Sequence, residues 1–291
     1  MSGKSPRKDG TPSRGPREAV WITGLRHLVL LFFVVLAVYP AINVFSISIR
    51  PGNKLQSTDL AIFPENWTFD SYVRLFTEEP FLTWMGNSLL VSLAVTVLGV
   101  GLAATGGYAL SRFRFVGRNT SMLAILTTQM FPATMLLLPL YVVIARLHLI
   151  NTFLGLLVFY TATALPFCLW QMKGFYDTIP VSMEEAARID GCSRWKTFVT
   201  VTLPLAVPGL VITALFSFMT AWSEYIVAAQ ILQDEEMFTL PLGLKSFQAS
   251  MSTEWGLYAS AAILVSIPVV IVFMLLSRYL VSGLTVGGVK E

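Results

Sequence analysis

The chain has 291 residues, of which 55% are hydrophobic and only 13% are charged. A soluble globular chain carries roughly 25% charged residues, so a chain this apolar could not cover a water-facing surface with polar groups. The composition therefore excludes an ordinary soluble enzyme and a disordered protein. It is typical of a bundle of membrane-crossing helices.

Six charge-free runs divide the chain, and each is long enough for the about 20 apolar residues that a membrane-crossing helix needs. They predict an all-α polytopic membrane protein with six transmembrane helices, approximately at 28–49, 85–111, 119–145, 149–172, 203–223 and 255–277. We expect a basic, disordered segment at 1–27, the membrane domain at 28–282 and a tail at 283–291. Only residues 146–148 separate the third run from the fourth, which predicts a tight helical hairpin.

The Lys and Arg residues are unevenly distributed between the two sides of this bundle. With the amino terminus placed in the cytoplasm, the inside segments hold 15 of them and the outside segments hold 5. Because positive residues concentrate on the cytoplasmic side of a membrane, this partition predicts that both termini are cytoplasmic. The first apolar run lacks a small-x-small cleavage pattern after it, which favours an uncleaved helix over a secretory signal.

The interiors of all six predicted spans lack Asp, Glu, Lys and Arg. Carriers driven by protons or sodium usually need ionisable groups or broken-helix ion sites in the membrane, so we expect the driving force to come from elsewhere. The remaining polar side chains could line a path for a neutral hydroxylated solute or simply join helices by hydrogen bonds. They include Asn43, Asn87, Gln129 and Gln171.

Three residue patterns indicate structure rather than chemistry. Gly99, Ala103 and Gly107 recur every four residues, which predicts a small-residue stripe where another helix packs closely. Cys168 and Cys192 stand alone, so neither a disulfide framework nor a metal site is expected. Tryptophans near the ends of the predicted spans are typical of membrane-interface anchors. These are Trp84, Trp170, Trp222 and Trp255.

The segment 173–202, between the fourth and fifth spans, carries the clearest local signals. Ser182, followed three residues later by Glu185, predicts a helix that starts with a capping box. Gly191 predicts a left-handed stop for that helix, and Ser193 can cap a second short helix leading to the fifth span. Such a hairpin could dock in a groove of another protein or pack only on lipid and its own bundle, and the pattern leaves both open.

The same segment resembles a known family of membrane proteins. It matches the E-A-A…G…I-x-L-P signature of ABC-importer permease subunits at Glu185, Ala186, Ala187, Gly191, Val201, Leu203 and Pro204, with Val in place of the usual Ile. The Asp-Gly pair at 190–191, the run 129–132 and the tail 283–290 resemble the carbohydrate branch, specifically the maltose-type second permease subunit. The resemblance covers roughly residue 28 to the carboxyl terminus.

The resemblance implies a non-catalytic permease subunit of an ATP-driven importer in a bacterial or archaeal plasma membrane. With a second permease subunit it would form the path of an oligosaccharide such as maltose, maltodextrin or trehalose. Two copies of a cytoplasmic ATPase would bind the ATP and Mg, while this chain would bind no cofactor and no metal. An extracytoplasmic sugar-binding protein would deliver the sugar. Membrane lipid is the other expected partner, and nucleic acid is not expected.

The resemblance also implies three groups of site residues and no catalytic residue. The ATPase would hold a coupling helix through Glu184, Glu185, Ala186, Ala187, Asp190 and Gly191. It would contact the carboxyl-terminal tail through Gly287, Gly288 and Lys290. The loop 224–254 would face the binding protein through Gln248, Ser250, Ser252 and Glu254.

Two other functions would also use a bundle of membrane helices. A secondary carrier for a neutral polar solute would be complete without an ATPase, but the lack of charges in the predicted spans disfavours it. An integral membrane enzyme would need a cluster of His, Asp, Glu or Cys at one membrane face. The richest acidic run, 234–236, has no His or Cys beside it, so we interpret it as a solvated turn.

Reporter fusions test the predicted orientation. A reporter fused after Glu291 is expected on the cytoplasmic side and one inserted beside Gln248 on the outside, because of the uneven distribution of Lys and Arg. Alkaline phosphatase, which is active only outside, and a fluorescent protein, which matures inside, provide opposite readouts. Two fusions that report the same side would contradict the six-span arrangement.

Overall fold

Helices dominate the fold in a computed structural model of the protein, which describes residues 20–52, 55, 63–248 and 253–286. The helices are α1 (Val20–Ser48), α2 (Asp70–Thr77), α3 (Phe81–Arg112), α4 (Arg118–Thr128), α5 (Ala133–Arg146), α6 (Phe153–Thr178), α7 (Val181–Ile189), α8 (Arg194–Thr197), a π-helical turn (Phe198–Thr202), α9 (Leu203–Leu205), α10 (Val207–Trp222), α11 (Ala228–Ile231), a 3₁₀ turn (Glu235–Met237), α12 (Leu240–Ser246) and α13 (Trp255–Val286). Over this part of the chain no β-strand occurs, and the all-α fold class is confirmed.

Four helices are long and apolar enough to cross a membrane by themselves. They are α3, α6, the Trp21–Ser48 part of α1 and the Trp255–Tyr279 part of α13. A fifth candidate consists of Arg194–Leu205 followed by Val207–Trp222, two parts that meet at 78°. This bend lies at Ala206, inside the predicted fifth span. The described residues therefore provide four or five candidate spans rather than the six that the hydropathy pattern predicted.

The third predicted span, 119–145, is interrupted in the structure. It is divided into α4 and α5, with residues 129–132 between them. Pro132, whose ψ is 134°, explains the interruption, because proline lacks an N–H group and disfavours helix at the residue before it. Gln129, in this interruption, is attached to α6 by a hydrogen bond from its Nε2 to the carbonyl of Thr163 at 3.2 Å.

The centre of the bundle is formed by α3, α6 and α10, which pack against one another. A Cβ atom at Gly107 would lie 2.8 Å from Met172 Cβ on α6, and one at Gly99 would lie 3.0 Å from Ser217 Oγ on α10. Ala103, between these glycines, is completely buried. The predicted small-residue stripe is therefore confirmed, and it lets α3 approach both neighbours closely.

The start of α3 is covered by the segment 224–254, and we call this end of the bundle the loop end. Trp84 Nε1 donates to the carbonyl of Glu235 at 3.0 Å, and Asn87 Nδ2 donates to the carbonyl of Glu236 at 2.8 Å. The Oγ atom of Ser88 accepts from the backbone N–H of Leu240 at 2.6 Å. These bonds fix the segment to α3, which runs from the loop end to the opposite end of the bundle.

Two of the four tryptophans that the sequence predicts at the membrane interface lie in the core instead. Trp84 is 0% exposed and Trp222 is 2% exposed, so neither is a membrane-interface anchor. Both belong to a core cluster that also contains Leu240 and Phe247 from the segment that folds over them. Trp170, by contrast, is 46% exposed, as an anchor would be.

The predicted hairpin between the third and fourth spans is present as the turn from α5 to α6. His148 and Asn151 have positive φ angles of 56° and 54°, which let the chain reverse within six residues, 147–152. Thr152 then caps α6, because its hydroxyl accepts from the N–H of Gly155 at 3.1 Å. Asn151 Nδ2 also donates to Asp234 Oδ2 at 2.6 Å, which attaches this turn to the loop end.

The closest approach at the loop end predicts a test of the packing. A Cβ atom at Gly243 would overlap the indole ring of Trp84, whereas a Cβ atom at Gly86 would have no neighbour within 4 Å. We expect Gly243→Ala to destabilise the fold by about 1–3 kcal/mol, the usual cost of overpacking. Gly86→Ala is the matched control and should not lower the melting temperature of the purified protein in detergent. Equal melting temperatures for the two variants would contradict the described packing.

Candidate functional site

The end of the bundle opposite the loop end carries α7 and the turn that follows it, and we call it the α7 end. The helix begins at Val181, after an extended Pro180 with ψ of 128°. The prediction that Ser182 is the N-cap is wrong, because Ser182 already lies in the first turn and no side chain caps this end. The expected capping box with Glu185 is therefore absent, and the fixed φ of proline starts the helix instead.

The other end of α7 has the predicted geometry. Gly191 has a φ of +88°, the left-handed conformation that glycine adopts without strain. Its N–H donates to the carbonyl of Arg188 at 3.1 Å, and that of Cys192 donates to the carbonyl of Ala187 at 3.0 Å. This pair of bonds is a Schellman motif, which ends the helix and reverses the chain. Ser193 then caps α8 by accepting from the N–H of Lys196 at 3.3 Å, as predicted.

A buried ion pair joins α7 to the last turn of α3. Arg112 Nε lies 2.7 Å from Glu184 Oε1, and these side chains are only 9% and 8% exposed. The hydroxyl of Tyr108 donates to Glu184 Oε2 at 2.9 Å, and Arg112 Nη2 donates to the carbonyl of Ile179 at 2.9 Å. The polar atoms of the pair are therefore satisfied within the chain, which is the condition for burying two charges.

Aromatic rings extend this junction to α6 and α8. The ring of Tyr108 lies 4.5 Å from that of Phe198 and 5.7 Å from that of Tyr176, measured between centroids. Phe198 in turn contacts Trp195 at 5.4 Å. The guanidinium of Arg194 lies 5.7 Å over a further ring on the loop after α3. Segments from three membrane-spanning candidates are thus joined beneath α7.

The outer surface of α7 and α8 has no cover from the rest of the described chain. Met183 is 45% exposed, Ile189 is 86% exposed and Trp195 is 66% exposed. We call the set Met183, Glu185, Ala186, Ile189 and Trp195 the docking surface. Large apolar side chains at such exposure are typical of a surface that another molecule covers.

The predicted coupling residues divide into two groups with different surroundings. Glu185, Ala186, Asp190 and Gly191 are exposed and Ala187 is half-buried. Glu185 and Ala186 belong to the docking surface, and Asp190 and Gly191 lie in the turn that follows α7. Glu184 is buried in the ion pair, so it holds α7 in place and does not face outward. The sequence did not single out Arg112 or Tyr108, because only the fold brings them to a carboxylate more than 70 residues away.

Two of the predicted binding-protein residues, Gln248 and Glu254, are described, and they lie at the loop end. Gln248 and Thr253 form an isolated antiparallel backbone bridge in the segment 224–254. Glu254 Oε2 lies 3.5 Å from Arg74 Nη1 on α2. Five further predicted site residues lie outside the described part of the chain. They are Ser250, Ser252, Gly287, Gly288 and Lys290.

The described residues contain no group of three His, Cys, Asp or Glu side chains that could hold a metal ion. The acidic run 234–236 is an exposed turn, as interpreted from the sequence. Asp234 accepts a hydrogen bond from Asn151, which gives this run a structural contact.

Comparisons with known proteins identify the family. Residues 96–286, more than half of the chain, match the family described as binding-protein-dependent transport system inner membrane component. The chain is 35% identical over 265 residues to the maltodextrin transport system permease protein MdxG of Bacillus subtilis (strain 168), covering 91% of this chain and 95% of MdxG. It is 35% identical over 253 residues to the diacetylchitobiose uptake system permease protein DasC of Streptomyces coelicolor. This match covers 87% of this chain and 92% of DasC.

A solved structure agrees with these relatives. The chain superposes with a TM-score of 0.78 and 26% identity on a chain from the crystal structure of a bacterial ABC transporter involved in the import of the acidic polysaccharide alginate. The match covers 92% of this chain and 99% of the other. The chain belongs to the family of inner membrane components of binding-protein-dependent transport systems, which confirms the resemblance found in its sequence.

The buried ion pair leads to a prediction about stability. Glu184→Gln keeps the shape of the side chain but leaves Arg112 buried without its counter-charge, so we expect a loss of about 3–5 kcal/mol. Glu78→Gln is the matched control, because Glu78 pairs with Arg74 on the surface, where the two side chains are 57% and 44% exposed. Breaking such a pair costs at most about 1 kcal/mol.

Thermal unfolding of the purified variants measures both effects. In a double-mutant cycle, adding Arg112→Gln to Glu184→Gln should cost much less than the sum of the two single changes, since the second change removes the unpaired charge. If Glu184→Gln and Glu78→Gln lower the melting temperature equally, the buried pair does not hold α7.

Proposed function

We propose that this chain is a non-catalytic permease subunit of an ATP-driven sugar importer and forms the translocation path with a second permease subunit. The family supports the role in transport, and the names of three similar proteins support the cargo. Those names specify maltodextrin, diacetylchitobiose and alginate, all of them carbohydrates. An oligosaccharide is therefore the proposed substrate.

The α7 end is proposed to face the cytoplasm and to receive the ATPase, which binds the ATP and Mg. The proposal rests on α7, which is attached to α3 on one side and exposed on the other. The Arg112–Glu184 pair holds α7 rigidly against α3, while the apolar side chains of the docking surface are exposed. A rigid attachment is needed because a subunit without its own nucleotide site can move only when the motion of the ATPase reaches it mechanically.

The loop end is then proposed to lie outside, where a sugar-binding protein would dock. The sequence assigns most Lys and Arg to the opposite side, in keeping with both termini in the cytoplasm. Gln248 and Glu254 stand on either side of the tip that would meet the binding protein, and Ser250 and Ser252 lie between them in the sequence. The tail with Gly287, Gly288 and Lys290 would reach the ATPase.

Two substitutions, one on the docking surface and one in the turn after α7, test the proposal. A Cβ at Gly191 would meet nothing within 4 Å, so Gly191→Val creates no clash in this chain. It would still strain a backbone whose φ is +88°, by about 1–2 kcal/mol, and would add bulk on an exposed turn. Ala186→Asp places a charge on the exposed face of α7. Both variants should insert into the membrane but lose the co-purifying ATPase and the uptake of sugar.

Gly174→Val is the matched control. Gly174 is exposed near the same end of the bundle and a Cβ there would also have open space, but the residue lies in α6 and not in the turn after α7. Its ATPase content and uptake should match those of the unaltered protein. The proposal is contradicted if Gly191→Val and Ala186→Asp both retain the ATPase and transport at the unaltered rate.

A further inference from the structure

A pocket of about 360 Å³ lies at the loop end, against the first turns of α13. This volume falls in the range of roughly 300–1,000 Å³ that is usual for small-molecule sites. Its walls come from three separate parts of the chain: the segment after α10, the helix α12 with its carboxyl-terminal end, and α13. Tyr225, Lys245, Gln248, Tyr258 and Val265 are among the residues that line it.

The polar groups of this pocket are largely unused within the described chain. The phenol hydroxyls of Tyr225 and Tyr258 have no hydrogen-bond partner among the residues that the structure describes. Lys245 Nζ donates to Gln248 Oε1 at 2.9 Å, which leaves two of the three ammonium protons and the amide NH₂ of Gln248 available. The pocket therefore offers two hydroxyls, two donor groups and two aromatic rings.

This combination fits the chemistry of a sugar. The C–H groups on one face of a pyranose ring pack against an aromatic face, which carries partial negative charge. The hydroxyl groups around the ring can accept hydrogen bonds from Lys245 and Gln248 and exchange them with the tyrosine hydroxyls. A purely apolar partner would leave these donors unsatisfied, which costs free energy when they are buried.

The walls are held in place before any ligand arrives. The helix α12 is attached to α3 by the Ser88–Leu240 hydrogen bond, and Phe247 packs on Trp84 with centroids 5.9 Å apart. Tyr258 and Val265 stand on α13, a continuous helix. Such preformed walls reduce the ordering cost of binding.

We propose that this pocket is a sugar-binding subsite of this chain, through which an oligosaccharide passes between the binding protein and the membrane path. The proposal rests on the proposed function, since it assumes that the loop end faces the binding protein. Gln248 belongs both to the pocket and to the backbone bridge at the loop tip. A sugar released at the tip would therefore meet this pocket next.

Site-directed labelling of a cysteine placed in the pocket tests the subsite. Val265→Cys puts a thiol on the pocket wall, with Cys192→Ser added so that the buried Cys168 is the remaining native thiol. The complete transporter, purified with its partner subunits, is treated with a maleimide in the presence of maltotriose, diacetylchitobiose or an alginate trisaccharide. The sugar that the unaltered transporter takes up should slow labelling at least threefold.

Three controls make the result specific to the pocket. Val73→Cys, on the exposed face of α2 at the same end, should be labelled at one rate with or without sugar. Adding Tyr258→Ala to Val265→Cys should abolish the protection by sugar, whereas Tyr258→Phe, which keeps the ring, should preserve most of it. Each variant must retain the ATPase on purification, so that loss of protection is not loss of assembly.

The outcomes separate this inference from the proposed function. Uptake of none of the three sugars by the unaltered transporter would contradict a sugar importer. Uptake without protection of Val265→Cys, or protection that survives Tyr258→Ala, would overturn the subsite alone. A thiol that reacts in the isolated chain but not in the complete transporter would show that a partner subunit fills the pocket, which also overturns it.

Discussion

The ion pair between Arg112 and Glu184 determines how the exposed helix α7 is held. Removing two charges from water is costly, and their attraction offsets the cost only if the remaining polar atoms are also bonded. The hydroxyl of Tyr108 and the carbonyl of Ile179 provide these bonds. Since α7 begins two residues after Ile179, the same cluster fixes how the start of the helix lies on α3.

A single helix, α3, connects the loop end to the α7 end. Trp84 anchors the loop end near the start of α3, and Arg112 anchors α7 at its last residue. At 1.5 Å per residue these anchors stand about 42 Å apart. Between them α3 is one continuous helix, which packs closely on α6 and α10 at Gly99 and Gly107. The two ends are thus positioned by one common element, without direct contact between them.

The sequence predicted the features that local backbone chemistry decides. The left-handed Gly191 and the cap at Ser193 each follow from a few adjacent residues, and both are present. It failed where distant parts meet: Glu184 finds its partner 72 residues away, and Trp84 is buried by a segment about 150 residues downstream. Apolar content also concealed the break at 129–132, because hydropathy does not register the hydrogen bond that a proline removes.

The fifth candidate span is sharply bent at Ala206. The segment Arg194–Leu205 meets Val207–Trp222 at 78°. Ala206, which lies between them, is fully buried, and its N–H donates to the carbonyl of Thr202 at 3.0 Å. Because the two parts meet nearly at a right angle, a displacement of Arg194–Leu205 would tilt Val207–Trp222. The second part, Val207–Trp222, has 16 residues and is about 24 Å long. A tilt of about 5° would therefore carry its far end sideways by about 2 Å, comparable to the known helix shifts by which packed interfaces switch.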